Sequence, residues 1–307
     1  MRRIILGVAA SGVLLASSAA CGGDDDPAGG GGGSADAGPD STTPPQGDAG
    51  PQEPTPGCGA SGGPTGFSPD QSLTVGGTKR TYELFVPEAH DGKKVFPLVF
   101  VFHGNGGDGA GMRRGYKLEA EANGGAIFVY PNGFGGWDLD TPAAQNDDVA
   151  FVEAMLDTLG KAYCVDKKRV FATGYSNGGY FSNQLACRKG SLFRAIASHA
   201  GGGPYGGSGD YDQNGDLVCP EAPVAALIAH GTNDEAVALG EGVKSRDHWT
   251  RVNGCRSTTK AYDPSPCVQY DGCADGRPVV WCQVQGLGHT VWPEGGAKAT
   301  WKFFSSL

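Results

Sequence analysis

Large apolar side chains are almost missing between Gly22 and Gly57, a stretch built of Gly, Asp, Pro, Ser, Thr and Ala. Such a segment cannot bury enough surface to offset its ordering entropy, so it is excluded from any core and reads as a flexible acidic linker over 21–57. A membrane-spanning run is lacking as well. The apolar stretch Ile4 to Leu15 is short, whereas a spanning helix takes about 20 residues. With Arg2-Arg3 before it and Ala16-Ser-Ser-Ala-Ala20 after it, it has the layout of an export signal over 1–20. Cys21 directly follows Ser18-Ala19-Ala20 and resembles a bacterial lipoprotein site, where the thiol is acylated and becomes the new N-terminus. Ser18 stands where such sites usually carry Leu, so plain cleavage after Ala20 is the alternative. Either way the protein is expected outside the cytoplasm, secreted or held to the cell envelope only by a lipid at Cys21.

Basic clusters are absent too. The chain carries 24 Lys+Arg against 33 Asp+Glu, a formal charge of −9. Without signal and linker, 22 basic and 26 acidic side chains remain, a balance of −4. No basic stripe is left with which to hold nucleic acid. No C-x2-C pair occurs and the six histidines stand apart from the cysteines, which argues against structural zinc. Asp24-Asp25-Asp26 lacks the glycine and glutamate of a calcium loop and reads as a solvated charge run. No metal and no organic cofactor is expected. Apart from Cys21, the cysteines number eight: Cys58, Cys164, Cys187, Cys219, Cys255, Cys267, Cys273 and Cys282. An even count in an exported domain predicts disulfides, with a pairing that spacing alone leaves open.

From Cys58 to Leu307 the pattern becomes that of one alternating α/β domain, with no internal repeat. Arg80 to Val86 alternates polar and apolar residues, as a half-buried strand does. Pro97–Phe102, Ala126–Tyr130, Arg169–Thr173, Pro223–Ala229 and Val279–Val284 are continuous apolar runs, as expected for strands covered on both faces. Val149, Val152, Leu156 and Leu159 recur at helical spacing behind Asn146 or Asp147 as N-cap. Gly178–Arg188, Val243–Val252 and Thr300–Ser305 are the other helix candidates. Strands alternating with helices predict a mostly parallel central sheet with helices on both faces.

Gly174-Tyr175-Ser176-Asn177-Gly178 follows the strand ending at Thr173 and opens a helix. That strand–turn–helix setting is what a G-x-S-x-G nucleophile needs, since the serine sits on a strained turn where flanking side chains would collide. A serine hydroxyl attacks only when a base takes its proton, and in this fold the acid and then the histidine follow in the chain. His289, in the glycine-loosened Gly286-Leu-Gly-His-Thr-Val-Trp-Pro293 after an apolar run, is the predicted base. His230 closes an apolar run and is expected to pack or hydrogen-bond, while His248 reads as a solvated or capping residue of a surface helix. Asp234, at the carboxyl end of the Pro223 strand, is the predicted acid, with Glu235 as its neighbouring alternative. Asp210, Asp212 and Asp216 read as a surface loop. Oxyanion donors are expected from the backbone N–H of Asn177 and from His103-Gly104-Asn105-Gly106-Gly107, Asn105 first and Gly104 next. Gly104, Gly106 and Gly109 also satisfy G-x-G-x-x-G. A dinucleotide fold would place an acid at the end of the following strand, and Tyr130-Pro131-Asn132 has none.

These motifs are similar to those of the polyhydroxybutyrate-depolymerase-type esterases, which include feruloyl esterases and belong to the α/β-hydrolase superfamily. The resemblance runs from about Tyr82 to Phe304 and rests on Phe102-His-Gly, Val129-Tyr-Pro-Asn-Gly, Asp148-Val-Ala-Phe, Arg169-Val-Phe-Ala-Thr-Gly-Tyr-Ser-Asn-Gly-Gly, His230-Gly-Thr-Asn-Asp and Gly288-His-Thr-Val-Trp-Pro. Val291 is a departure, since relatives often have Trp directly after His-Thr. The resemblance implies an α/β-hydrolase fold and an acyl-enzyme on Ser176, resolved by water that His289 activates with Asp234 behind it. It implies an ester substrate linked to plant polysaccharide or polymeric. Feruloyl esters come first, with polyhydroxybutyrate-type polyesters or acetylxylan as alternatives on the same triad. Trp137, Tyr175 and Trp292 are the candidates for an aromatic wall around a cinnamoyl group, although core packing would explain each as well. A monomer is expected. From another class, an inactive surface-binding lipoprotein would need no base in a flexible loop.

Overall fold

In the computed structural model the described residues are 52–60 and 62–307. The expected signal at 1–20, Cys21 and most of the expected linker lie outside them. The end of that linker differs from the expectation. Thr55 is buried, its hydroxyl donating to the Tyr163 carbonyl at 2.9 Å and accepting from Val165 N–H at 3.0 Å. Glu53 N–H donates to Asp166 at 3.0 Å. Residues 53–57 thus pack on the domain before Cys58, because backbone donors and a hydroxyl supply what their side chains lack in apolar surface.

Ten strands form one sheet: β1 (Gly66–Val75), β2 (Thr78–Val86), β3 (Phe96–Phe102), β4 (Ile127–Pro131), β5 (Val165–Tyr175), β6 (Ala195–His199), β7 (Ala225–Gly231), β8 (Thr259–Ala261), β9 (Val268–Tyr270) and β10 (Val279–Val284). Their order is β1-β2-β4-β3-β5-β6-β7-β10-β9-β8. Every pairing from β4 across to β10 is parallel, and the edges β1–β2 and β9–β8 are antiparallel additions. The strand alternation puts Leu98, Phe100 and Phe102 of β3 into one core and Val99 and Val101 into the other.

Six helices cover the two faces: α1 (Gly109–Tyr116), α2 (Leu118–Ala122), α3 (Asp147–Ala162), α4 (Asn177–Arg188), α5 (Leu239–Val252) and α6 (Gly296–Ser305). Val149 and Val152 of α3, Phe181 and Leu185 of α4 and Trp249 of α5 close the first core. Met112 and Tyr116 of α1, Leu118 of α2, and Phe303 and Phe304 of α6 close the second. Asn146 is the N-cap of α3, its side chain accepting from Asp148 and Val149 N–H at 3.0 Å. This is the mostly parallel, doubly covered sheet that the alternation predicts, and it fits the α/β-hydrolase fold that the resemblance implies. None of the described helices is long and apolar enough to cross a membrane.

The cysteines pair as Cys58–Cys164, Cys187–Cys219, Cys255–Cys273 and Cys267–Cys282. Cys267–Cys282 ties the short antiparallel edge at β9 to β10, and Cys255–Cys273 ties the residues after β9 to the turn that follows α5. Four bridges require an oxidising compartment outside the cytoplasm.

Candidate active site

Ser176 stands between β5 and α4 with φ 54° and ψ −121°, a backbone that side chains rarely adopt. The turn closes only because its flanks are bare. A Cβ on Gly174 would stand 2.3 Å from the Gly178 carbonyl oxygen, and one on Gly178 2.4 Å from that of Phe102. Ser176 N–H donates to the His199 carbonyl at 2.9 Å, which ties the turn to the end of β6.

The parallel strands deliver the partners to the same sheet edge. Asp234 follows β7 and His289 follows β10, the strand paired with β7. His289 Nε2 lies 2.9 Å from Ser176 Oγ, and its Nδ1 lies 2.8 Å from Asp234 Oδ2. The carboxylate therefore fixes the tautomer: Nδ1–H donates to Asp234 and Nε2 accepts from the serine hydroxyl. Asp234 Oδ1 accepts Ala236 and Val237 N–H at 3.0 and 2.8 Å. Burial alone would raise this carboxyl, but the bonds from His289 and Val237, with the nearby imidazoles, outweigh it and hold the group below the usual carboxylate range. Glu235 is exposed. His230 packs as expected, its ring Nε2 donating to the Val237 carbonyl at 2.9 Å. His248 differs from expectation. It is half-buried beside Cys219 Sγ at 3.5 Å, and burial lowers it to about 4. Asp210, Asp212 and Asp216 are spent locally, the last on Arg251 at 3.0 Å.

Gly104 lies against the nucleophile, since a Cβ on it would stand 3.2 Å from Ser176 Cβ. Its loop is held by His103, which the sequence reading left unassigned. His103 Nδ1 donates to the Gly104 carbonyl at 2.7 Å and its Nε2 accepts Gly133 N–H at 2.9 Å. Burial keeps this imidazole easier to deprotonate than usual. Gly106 N–H donates to Gly135 at 2.8 Å, and the Asn177 side chain accepts Trp137 N–H at 2.6 Å. Two loops and the first residue of α4 are thereby stitched around one point. Among the described residues the backbone N–H groups of Asn105 and Asn177 meet no acceptor.

The aromatic candidates separate. Tyr175 lines a cavity of about 390 Å³ beside Ser176 together with Gly104, Asn105, Met112 and Val291, and its hydroxyl donates to the His289 carbonyl at 2.9 Å. Trp137 is only 5% exposed, stacks on Phe181 at 5.0–5.1 Å from its aromatic neighbours, and donates Nε1–H to the His103 carbonyl at 2.8 Å. It belongs to the core beneath the loop and not to that cavity, because its indole fills the gap between α4 and β3. Trp292 also stays off the cavity lining, half-buried against the second core beside Gly295. A larger cavity, about 1140 Å³, lies at the opposite sheet edge around Asp166, Arg169 and Arg194. None of Ser176, Asp234 and His289 lines it.

Behind the nucleophile, His199 is fully buried with Nε2 2.6 Å from Tyr116 Oη and 3.0 Å from Thr300 Oγ1. Burial lowers its imidazole to about 3. An unfolded histidine titrates near 6.5, so between about pH 6.5 and 3 the unfolded chain binds a proton that the folded one refuses. Stability is therefore expected to fall on acidification through that window, by up to roughly 5 kcal/mol from this group. In urea titrations at pH 7, 5 and 4 the gap between wild type and His199→Gln should narrow as pH drops. A constant gap would refute the linkage.

The prolyl oligopeptidase family model matches residues 119–203, the stretch from α2 through the Ser176 turn to just past β6. Feruloyl esterase C of Emericella nidulans is 34% identical over 249 residues, covering 73% of this chain and 83% of that protein. Feruloyl esterase D of Neurospora crassa is 31% identical over 277 residues, covering 81% and 90%. Among solved structures, an acetyl xylan esterase from Aspergillus awamori superposes with a TM-score of 0.60 at 19% identity, covering 77% of this chain and all of that one. A ferulic acid esterase from Anaeromyces mucronatus does so with a TM-score of 0.53 at 17% identity, covering 81% and 91%. At those identities the structural likeness speaks to the fold.

Proposed function

Since this chain belongs to the feruloyl esterase family, we propose that it releases hydroxycinnamic acids from plant cell-wall polysaccharide through an acyl-enzyme on Ser176. The observation that carries the reading is the relay from Ser176 Oγ to His289 Nε2 at 2.9 Å and from His289 Nδ1 to Asp234 at 2.8 Å. Ser176 Oγ attacks the ester carbonyl carbon while its proton passes to His289 Nε2. Asp234 stays ionised and steadies the imidazolium through Nδ1–H. The carbonyl oxygen, now negative, takes the N–H groups of Asn177 and Asn105, with Gly104 closing the wall beside it. Collapse of the tetrahedral adduct expels the alcohol, which leaves with the proton from His289. Water then repeats the cycle on the acyl-enzyme, His289 accepting its proton and returning it to Ser176.

The acyl group is proposed to occupy the cavity beside Tyr175, whose Met112 and Val291 walls suit a flat phenylpropenoyl chain. Four disulfides support a working place outside the cytoplasm. The signal over 1–20 and a lipid on Cys21 would be the means of export and anchoring, with the folded domain acting as a monomer. The test offers methyl ferulate, p-nitrophenyl acetate and hydroxybutyrate oligomers in parallel to the purified protein. Methyl ferulate should be the preferred substrate. Turnover of the hydroxybutyrate oligomers alone would move the substrate while leaving the triad in place. Inertness toward all three, without labelling by a fluorophosphonate, would overturn the esterase reading.

A further inference from the structure

A second cavity, of about 630 Å³, opens on the other side of the oxyanion loop and shares Asn105 with the one beside Tyr175. The two differ in chemistry. The Tyr175 cavity has Met112, Tyr116 and Val291 among its walls, whereas Arg80, Thr141, Gln145 and Asp147 line the other. At its rim stands Phe134, 72% exposed and the most exposed large apolar side chain among the described residues. Its ring offers an apolar face to whatever enters the cavity. It is also held in place. The Arg80 guanidinium lies 4.6 Å from the Phe134 ring centre and 4.4 Å from that of buried Phe151, and is itself only 2% exposed. Asp148 anchors that guanidinium at 2.5 Å, and Arg80 Nε has no hydrogen-bond partner among the described residues. Gln145 and Asp147 are exposed and, among the described residues, make no side-chain hydrogen bond.

We infer that this cavity is the subsite for the glycosyl residue that carries the ester, with Phe134 as a stacking platform and Gln145 and Asp147 as acceptors and donors for its hydroxyls. The inference rests on the proposed esterase reading, because an ester of a hydroxycinnamic acid with a sugar is apolar at one end and polar at the other. An ester carbonyl seated at Asn105 carries its acyl chain on one side and its alkoxy oxygen on the other. The two cavities that meet at Asn105 match those two ends in polarity. A sugar presents C–H bonds on its faces, which lie against an aromatic ring, and hydroxyls on its edge, which need polar partners. The Asp148–Arg80–Phe134 stack keeps the platform rigid, so little side-chain entropy is lost when a sugar settles on it.

The test compares Phe134→Ala and Gln145→Ala with wild type on methyl ferulate and on a feruloylated arabinoxylo-oligosaccharide. On the oligosaccharide ester, kcat/KM should fall about tenfold for Phe134→Ala, mostly through KM. On methyl ferulate, which has no sugar, it should stay within about twofold of wild type. Equal losses on both substrates, or no loss on either, would overturn the subsite. A second measurement separates this from the esterase reading: the unesterified oligosaccharide is titrated into Ser176→Ala and into Ser176→Ala/Phe134→Ala by calorimetry. Binding that disappears with Phe134 supports the subsite even if ferulate is not hydrolysed. Absence of binding to Ser176→Ala, at concentrations where wild type hydrolyses the oligosaccharide ester or in a protein with no activity, overturns it.

Discussion

Replacing Ser176 by alanine is expected to lower kcat on methyl ferulate by a factor of about 10⁴ to 10⁶, leaving KM nearly unchanged. In the proposed mechanism the acyl bond forms on the hydroxyl that lies 2.9 Å from His289 Nε2. Binding, by contrast, is assigned to the Tyr175 cavity and to backbone N–H groups that alanine leaves in place. The fold should survive, because the strained turn is fixed by Gly174, Gly178 and the bond from residue 176 N–H to His199, none of which needs the hydroxyl. Asp234→Asn should cost about 10⁴ in kcat by a different route. An asparagine with its amide turned toward His289 would favour the proton on Nε2, the nitrogen that has to accept it. Michaelis–Menten kinetics and circular dichroism on both variants check this. Retention of more than a few per cent of wild-type turnover by Ser176→Ala would remove the serine from its role.

The largest effect on stability is expected from opening the Cys58–Cys164 bridge. It joins residues 106 apart, against 32, 18 and 15 for the other three. In the chain-entropy picture a loop of that size constrains the unfolded state by about 4.7 kcal/mol, and a 15-residue loop by about 3 kcal/mol. The bridge also holds the 53–60 segment, whose Thr55 and Glu53 bonds would have to survive without a covalent tie. Cys58→Ser/Cys164→Ser should therefore lose about 4 kcal/mol, a fall in Tm of roughly 10 °C. Because Cys164 precedes β5 while Ser176 follows it, kcat at 25 °C should remain that of wild type. Denaturant titration and a thermal scan of the non-reduced proteins decide it, and a smaller loss than that of Cys267→Ser/Cys282→Ser would contradict the loop-length argument.

The features legible in the sequence are those in which a residue's role follows from its immediate neighbours. Apolar runs between turn residues mark β3, β4, β5, β7 and β10, since a strand covered on both faces needs apolar residues throughout. Gly174 and Gly178 mark the nucleophile turn because steric exclusion acts over a few residues. Asp234 and His289 could be chosen because parallel strands bring their carboxyl ends to one edge, and both residues lie just past such ends. Elements built against local preference escaped. Helix α1 contains three glycines in eight residues, and β6 is five residues of mostly small side chains, so neither has a period to read. β1 is half-exposed along its length and gains its place only by pairing with β2.

What the sequence by itself determined is the serine, aspartate and histidine that come together and the sheet edge that carries them. Only the tertiary structure decided which cysteines meet, that Trp137 props the His103–Gly107 loop from within the core, that His103 clamps that loop to Gly133, and that two cavities of different polarity meet at Asn105. Each of those facts joins residues 15 or more positions apart or adds up surfaces from several elements. Backbone geometry transmits local sequence over a turn or two; beyond that, proximity is set by how whole elements pack.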